Sequence, residues 1–100
     1  MDKREAIKKV TQYKLLLGKH FDLDAVYLFG SFANNTNRED SDIDVAVVVK
    51  NISGDYFAIN PLLWKLRRQV DDRIEPILID SNNDISGFLD EIKRNGIKIA

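Results

Sequence analysis

The chain has 100 residues and a net charge of −1. This length suffices for one hydrophobic core but not for two, so we expect a single domain over residues 1–100. The balance of 15 basic against 16 acidic residues excludes the broad positive field that bulk DNA or RNA binding requires. The sequence has no cysteine, which excludes disulfides and thiolate metal sites. A polar start and short apolar runs predict neither a signal segment nor a membrane span, and we expect a cytoplasmic protein.

The first half of the chain is predicted to form one helix and two strands. Apolar residues recur at helical spacing from Asp2 onward, and Gly18 offers a stop. The apolar run 25–29 predicts a buried strand that ends at a glycine, and the polar run 34–41 predicts a loop. Residues 43–49 are rich in β-branched side chains and predict a second strand with its odd-numbered residues on one face.

The next segment is predicted to form a helix and a third strand. Apolar residues between 59 and 70 return to helical spacing, with Asn60 as the predicted cap and Pro61 in the first turn. Residues 74–79 then predict a strand, in which Pro76 indicates a sheet edge or a strand end.

The chain is predicted to close with a helix and a short strand. Asp84 is the predicted helix cap, and 97–99 the predicted strand. The inward residues of this helix are predicted to be Ile85, Phe88, Leu89 and Ile92, with Asn95 and Gly96 at its end. The order of elements predicts an α/β fold of the α+β type, a small mixed sheet with helices packed against it.

A glycine and a serine follow the first predicted strand. Gly30 permits close approach of a ligand to the backbone, and Ser31 can start a helix whose free N–H groups attract phosphate. Alone, such a pair more often marks a turn with a helix cap. The pair therefore gains meaning only from the residues around it.

Two aspartates stand at the start of the second predicted strand. Asp42 and Asp44 are two residues apart, so their carboxylates project on the same side. Like charges about 5 Å apart repel by roughly 3 kcal/mol at an effective dielectric near 20, and a hard cation such as Mg²⁺ relieves this repulsion. The same spacing occurs at Asp22/Asp24 and Asp40/Asp42, but only Asp42 and Asp44 adjoin the most apolar strand.

A third acidic residue, Glu75, enters the third predicted strand. If that strand lies beside the second, Glu75 reaches the face of Asp42 and Asp44, and three carboxylates can clamp two metal ions. The alternative is a partly exposed glutamate on an edge strand.

Together, the Gly-Ser pair, the Asp-x-Asp pair and the later acidic residue resemble the polymerase-β-type nucleotidyltransferase superfamily. The short chain is most similar to the minimal nucleotidyltransferase branch, often encoded beside a HEPN-domain toxin. The resemblance implies a polymerase-β-type core in which Asp42, Asp44 and Glu75 are catalytic and bind two Mg²⁺ ions. It implies that Gly30 and Ser31 contact the phosphates of ATP or another NTP.

The chain departs from the family pattern in the loop after the Gly-Ser pair. Many relatives carry an Arg-Gly pair where this chain has Asn34 and Asn35. Asparagine tolerates a left-handed backbone, so the loop is expected to survive, but a phosphate contact from arginine is lost. Arg38 fits a second basic position and is the expected replacement cation.

The resemblance implies Mg²⁺-dependent transfer of a nucleoside monophosphate, AMP from ATP foremost, to a hydroxyl of a partner protein. A HEPN toxin is the expected partner, with this chain as its antitoxin. Two alternatives stay open. One is a catalytically weak binding module that blocks its partner by complex formation, and the other is a transferase that acts on a small-molecule acceptor.

Overall fold

A computed structural model describes residues 1–50, 56–82 and 86–100 of the protein. Its helices and strands are, in chain order, α1 Lys3–Leu17, β1 Leu23–Phe29, α2 Ser31–Asn34, β2 Ile43–Val49, α3 Tyr56–Leu66, a 3₁₀ turn Arg67–Gln69, β3 Ile74–Asp80, α4 Phe88–Asn95 and β4 Ile97–Lys98. The predicted cap Asp84 and its neighbour Ile85 lie outside the described residues.

Helix α1 begins and ends as its sequence predicts. The carboxylate of Asp2 accepts a hydrogen bond from the backbone N–H of Glu5 at 2.8 Å, which satisfies one of the free N–H groups of the first turn. At the other end the N–H of Gly18 donates to the Lys14 carbonyl at 3.0 Å. The helix buries one face, formed by Ala6, Val10, Tyr13 and Leu17.

The described strands form a four-stranded mixed sheet in the order β3-β2-β1-β4. Strand β1 is antiparallel to β2 and β4, and β2 is parallel to β3. The predicted α+β fold is therefore confirmed, and β3 lies at the sheet edge, as Pro76 indicates. Strand β4 is shorter than predicted and covers Ile97–Lys98.

Both faces of the sheet are covered, and β2 contributes to each. One face packs on α1 and α3 and takes the odd-numbered β2 residues Ile43, Val45, Val47 and Val49. The other face carries Ala46 and Val48 and packs on Leu89 and Ile92 of α4. Since successive strand residues alternate between faces, Asp44 lies on the α4 side of the sheet.

Helix α3 differs from its prediction. It begins at Tyr56, so Pro61 lies inside the helix rather than in its first turn, and Asn60 is not its cap. Proline removes the hydrogen bond that its N–H would make four residues back, and here Pro61 is exposed. Burial of Leu63 and Leu66 in the core outweighs this local penalty, because packing routinely overrides helix propensity.

The end of α3 and the start of α4 also depart from the predicted boundaries. Helix α3 stops at Leu66 and tightens into the 3₁₀ turn before residue 70. Helix α4 begins at Phe88, after Gly87 with φ of 74°, and ends with Gly96 as its C-cap, as predicted. Among the described helices, none is long and apolar enough to cross a bilayer.

Candidate active site

The three predicted acidic residues gather at one end of β2 and β3. Asp42 directly precedes β2, and Asp44 is the second residue of that strand. In the parallel pairing of β2 with β3, Asp44 is the register partner of Glu75. Register partners on neighbouring strands point to the same face, so the structure brings Glu75 to the face that carries Asp44.

The electrostatics of these carboxyl groups reflect their proximity. The pKa of Glu75 is raised by burial first, then by the negative charge of Asp42 and a hydrogen bond to it, and then by the charge of Asp44. Burial, followed by the charge of Asp42, raises the pKa of Asp44. The charge of Asp42 thus acts on both other carboxyl groups and that of Asp44 acts on Glu75, and a cation placed at this corner of the sheet would relieve the repulsion.

Gly30 lies directly against this acidic corner. Its φ of 73° lies in the left-handed half of backbone space, which favours glycine. A Cβ atom added there would overlap the carboxylate of Asp44, since it would lie 3.0 Å from Cγ and 3.3 Å from Cβ of that residue. The absent side chain of Gly30 is therefore what leaves room for the Asp44 carboxylate.

Ser31 begins α2, a single helical turn that is followed by a residue in the left-handed conformation, Asn35. The N–H of Asn34 donates to the Gly30 carbonyl at 3.0 Å, and the N–H of Thr36 donates to the Ser31 carbonyl at 2.9 Å. Asn35 has φ of 59° and ψ of 30°. The prediction that asparagine adopts the left-handed conformation in place of glycine is confirmed.

Arg38 lies in the exposed loop before β2. Its backbone N–H donates to Oγ of Ser41 at 2.6 Å, and the Ser41 N–H donates back to the Arg38 carbonyl at 3.1 Å. The charge of Arg38 is not among the influences that shift the pKa of Asp44 or Glu75. Among the described residues, no ion pair joins the Arg38 side chain to these carboxyl groups, and its expected role as the replacement cation stays a prediction.

Arg67 is a residue near the site that sequence reasoning missed. Its Nη1 donates to the carbonyl of Asp72 at 2.7 Å and to that of Ile74 at 3.0 Å. Its guanidinium carbon lies 4.7 Å from the ring centre of Trp64, and its positive charge opposes the upward shift in the pKa of Glu75. Arg67 thereby anchors the chain immediately before Glu75. In the sequence it is one of several basic residues near an acidic pair, and no local signal distinguishes it.

The donor set can be compared with what Mg²⁺ requires. Among the described residues, no group of three His, Cys, Asp or Glu side chains is arranged to hold a metal ion. Mg²⁺ prefers oxygen ligands and is usually held by one or two carboxylates, with water and substrate phosphates completing its coordination. The carboxylates of Asp42 and Asp44, the second of which lies against the backbone of Gly30, fit an ion that binds together with a nucleotide.

Comparisons with known proteins bear on the family and the fold. A family model described as "Polymerase beta, Nucleotidyltransferase" matches residues 11–100. The crystal structure of a "putative nucleotidyltransferase" from Sulfolobus solfataricus is similar in fold, with a TM-score of 0.66 and 23% sequence identity over 96% of this chain and 80% of that one. At this identity the likeness shows the fold alone. No curated protein matches the chain.

Proposed function

The chain belongs to the polymerase β nucleotidyltransferase family, and from this membership we propose that it transfers a nucleoside monophosphate, AMP from ATP foremost, to a hydroxyl of a partner protein. The observation that carries the proposal is the placement of Asp44 between Glu75, its register partner on β3, and Gly30, which leaves its carboxylate room. Carboxylates and an open backbone side by side suit a triphosphate that binds with a cation.

Each of the predicted site residues on or directly beside the first three strands and α2 has its own proposed role. Asp42 and Asp44 would hold Mg²⁺, which when bound neutralises phosphate charge and lowers the pKa of the acceptor hydroxyl. The backbone of Gly30, which lies against the Asp44 carboxylate, would lie close to the triphosphate, and the hydroxyl of Ser31 can donate to a phosphate oxygen. Glu75 lies on the edge strand β3 and would face the acceptor.

The proposed reaction is an in-line displacement. The acceptor oxygen bonds to the α-phosphorus of the NTP, and the bond from that phosphorus to the bridging oxygen breaks, so that pyrophosphate leaves with the electron pair. The proton of the acceptor hydroxyl passes to Glu75 or to solvent. Catalysis by these residues consists of positioning and of charge stabilisation.

Resemblance to the minimal branch supports a HEPN-domain toxin as the acceptor protein and an antitoxin role for this chain. The absence of the family's Arg-Gly pair at Asn34 and Asn35 keeps the catalytically weak binding module as a second candidate. In that case the chain would act by covering its partner. A transferase that acts on a small molecule is the third.

Transfer of label separates these candidates. The chain is incubated with Mg²⁺, each α-labelled NTP and the HEPN-domain protein encoded beside it. We expect label on the partner, with loss of that label in Asp42→Asn/Asp44→Asn. The matched control is Asp22→Asn/Asp24→Asn, which has the same spacing away from the site and should label normally.

Three results would contradict the proposal. A stable complex without label would favour the binding module. Label on a small hydroxylated acceptor but not on the protein would favour the third candidate. Label that persists in Asp42→Asn/Asp44→Asn would remove these residues from catalysis.

A further inference from the structure

A cavity of about 390 Å³ lies beside the acidic corner, between α2 and α4. It opens on the sheet face that α4 covers, which is also the face of Asp44. Its lining includes Phe29, Gly30, Asn34, Phe88, Glu91 and Asn95. Since Gly30 both lines the cavity and lies against the Asp44 carboxylate, the cavity and the acidic corner adjoin at this residue.

The lining of this cavity combines two aromatic side chains with three polar ones. The rings of Phe29 and Phe88 meet edge to face, with centroids 5.8 Å apart at 88°. The polar groups are the amides of Asn34 and Asn95 and the carboxylate of Glu91, and no lysine or arginine is among the described lining residues. A carboxylate without a cation repels phosphate, so the part of a nucleotide that enters here is not its triphosphate.

We propose that this cavity binds the nucleobase of the NTP, and this inference rests on the proposed nucleotidyl transfer. The volume lies within the range of small-molecule sites, which combine apolar walls with a few polar groups. The two phenylalanines contact the faces and edges of a heteroaromatic ring. The amides of Asn34 and Asn95 can donate to or accept from its edge, whereas the carboxylate of Glu91 only accepts.

The acceptor-only carboxylate sets a preference among bases. Adenine and cytosine present an exocyclic amino group, a donor, at the ring position where guanine and uracil present a carbonyl. Facing that position, Glu91 favours a base with the amine, as in ATP, and disfavours GTP and UTP. The position of Glu91 and Asn95 one helical turn apart on α4 lets both contact one ring edge.

The test compares nucleotide with a ligand that lacks the base. Binding of the α,β-methylene analogue of ATP and of inorganic tripolyphosphate is measured by calorimetry with Mg²⁺, on the full chain and on Glu91→Gln/Asn95→Ala. Both residues are exposed, so the variant should fold. We expect affinity for the ATP analogue to fall about tenfold, as for the loss of two hydrogen bonds, and affinity for tripolyphosphate to stay unchanged.

A neighbouring helix residue supplies the control. Asp90 is exposed on α4 and does not line the cavity, so Asp90→Asn makes the same charge change as Glu91→Gln and should leave both affinities unchanged. Asp42→Asn/Asp44→Asn should lower the affinity for both the ATP analogue and tripolyphosphate.

The outcomes separate this inference from the function on which it rests. If the wild type binds tripolyphosphate as tightly as the ATP analogue, or the cavity variant weakens both equally or neither, the nucleobase site is overturned and the transferase proposal stands. If the wild type binds neither ligand and transfers no label, both are overturned.

Discussion

Gly30 and Asp44 form one structural unit although a polar loop separates them in the chain. The last residue of β1, Phe29, is the register partner of Asp44 on β2, and the next residue is Gly30, whose missing side chain makes space for the Asp44 carboxylate. The two sequence motifs of the site therefore meet in space because β1 and β2 are antiparallel neighbours. Neither motif keeps its geometry without the other.

The first prediction concerns this contact. Gly30→Ala should lower the free energy of unfolding by about 1–3 kcal/mol, because it combines a strained backbone with a side-chain overlap, and should abolish nucleotidyl transfer by displacing Asp44. Urea unfolding and the labelling assay measure the two effects. Gly18→Ala is the control, since Gly18 has φ of −62° and a Cβ there meets only ordinary contacts at 3.5 Å or more. Equal effects of the two substitutions would contradict the role of Gly30.

A second prediction concerns the cost of keeping Asp44 ionised. Burial and the charge of Asp42 raise its pKa in the folded state, so at pH 7 the ionised carboxylate destabilises the fold relative to the unfolded chain. Asp44→Asn should therefore increase the free energy of unfolding in the absence of divalent cations, while it removes transfer activity. Denaturation in EDTA checks the sign.

The control for this prediction is Asp24→Asn. Asp24 is an exposed strand residue 3.8 Å from Lys50, and its neutralisation should change stability by less than about 0.5 kcal/mol, as for exposed ion pairs. Adding Mg²⁺ should raise the Tm of the wild type and of Asp24→Asn more than that of Asp44→Asn. A destabilised Asp44→Asn in EDTA would contradict the argument.

The third prediction is a pH dependence of stability set by Asp71. Burial alone would raise its pKa, but hydrogen bonds from Arg73 and Lys9 outweigh burial and hold the pKa of Asp71 well below its usual range. Nζ of Lys9 donates to Oδ2 of Asp71 at 2.7 Å. A lowered folded pKa means stability that is fully present above the ordinary aspartate pKa of about 3.9 and is lost as the pH falls through the lower folded value.

Asp71→Asn tests this contribution. At pH 7 it should cost about 2 kcal/mol, since charged hydrogen bonds are lost, and the difference from wild type should shrink as the pH drops below about 4. Asp72→Asn, an exposed neighbour whose backbone carbonyl still accepts from Arg67, should show no such pH-dependent difference. A constant difference between Asp71→Asn and wild type from pH 7 to pH 3 would contradict the assignment.

The fourth prediction concerns Arg67 as a positioning residue for Glu75. Removing its two hydrogen bonds to the carbonyls of Asp72 and Ile74 frees the chain just before Glu75. Arg67→Ala should lower the free energy of unfolding by about 1–3 kcal/mol, for the loss of the bonds and of the stacking on Trp64. Transfer activity should fall more than the fraction of folded protein does.

Two further variants isolate the positioning effect. Arg67→Lys keeps the charge but loses the planar guanidinium that lies over the Trp64 ring, so it should restore only part of the activity. Arg68→Ala removes an exposed neighbouring cation and should leave activity unchanged. If Arg67→Ala were fully active at temperatures where it is folded, Arg67 would have no part in positioning Glu75.

The sequence by itself determined the strands, most helix positions and the motif pairs, because these depend on local periodicity and on short-range chemistry. The alternation in β2 places odd-numbered residues on one face and Asp44 on the other, as its pattern predicts. Helix α1 lies between the caps Asp2 and Gly18, and α4 ends at Gly96, for the same reason, since capping involves only the nearest turn. The left-handed Asn35 follows from its residue type.

Only the tertiary structure decided which distant residues meet. Packing of Leu63 and Leu66 keeps α3 helical through Pro61, against the local rule that proline belongs in the first turn. Parallel pairing of β2 with β3 brings Glu75 beside Asp44. A turn of the chain brings the side chain of Arg67 to the backbone carbonyl of Ile74, the residue before Glu75. The cavity between α2 and α4 arises from elements far apart in the chain, so no local pattern in the sequence could have indicated it.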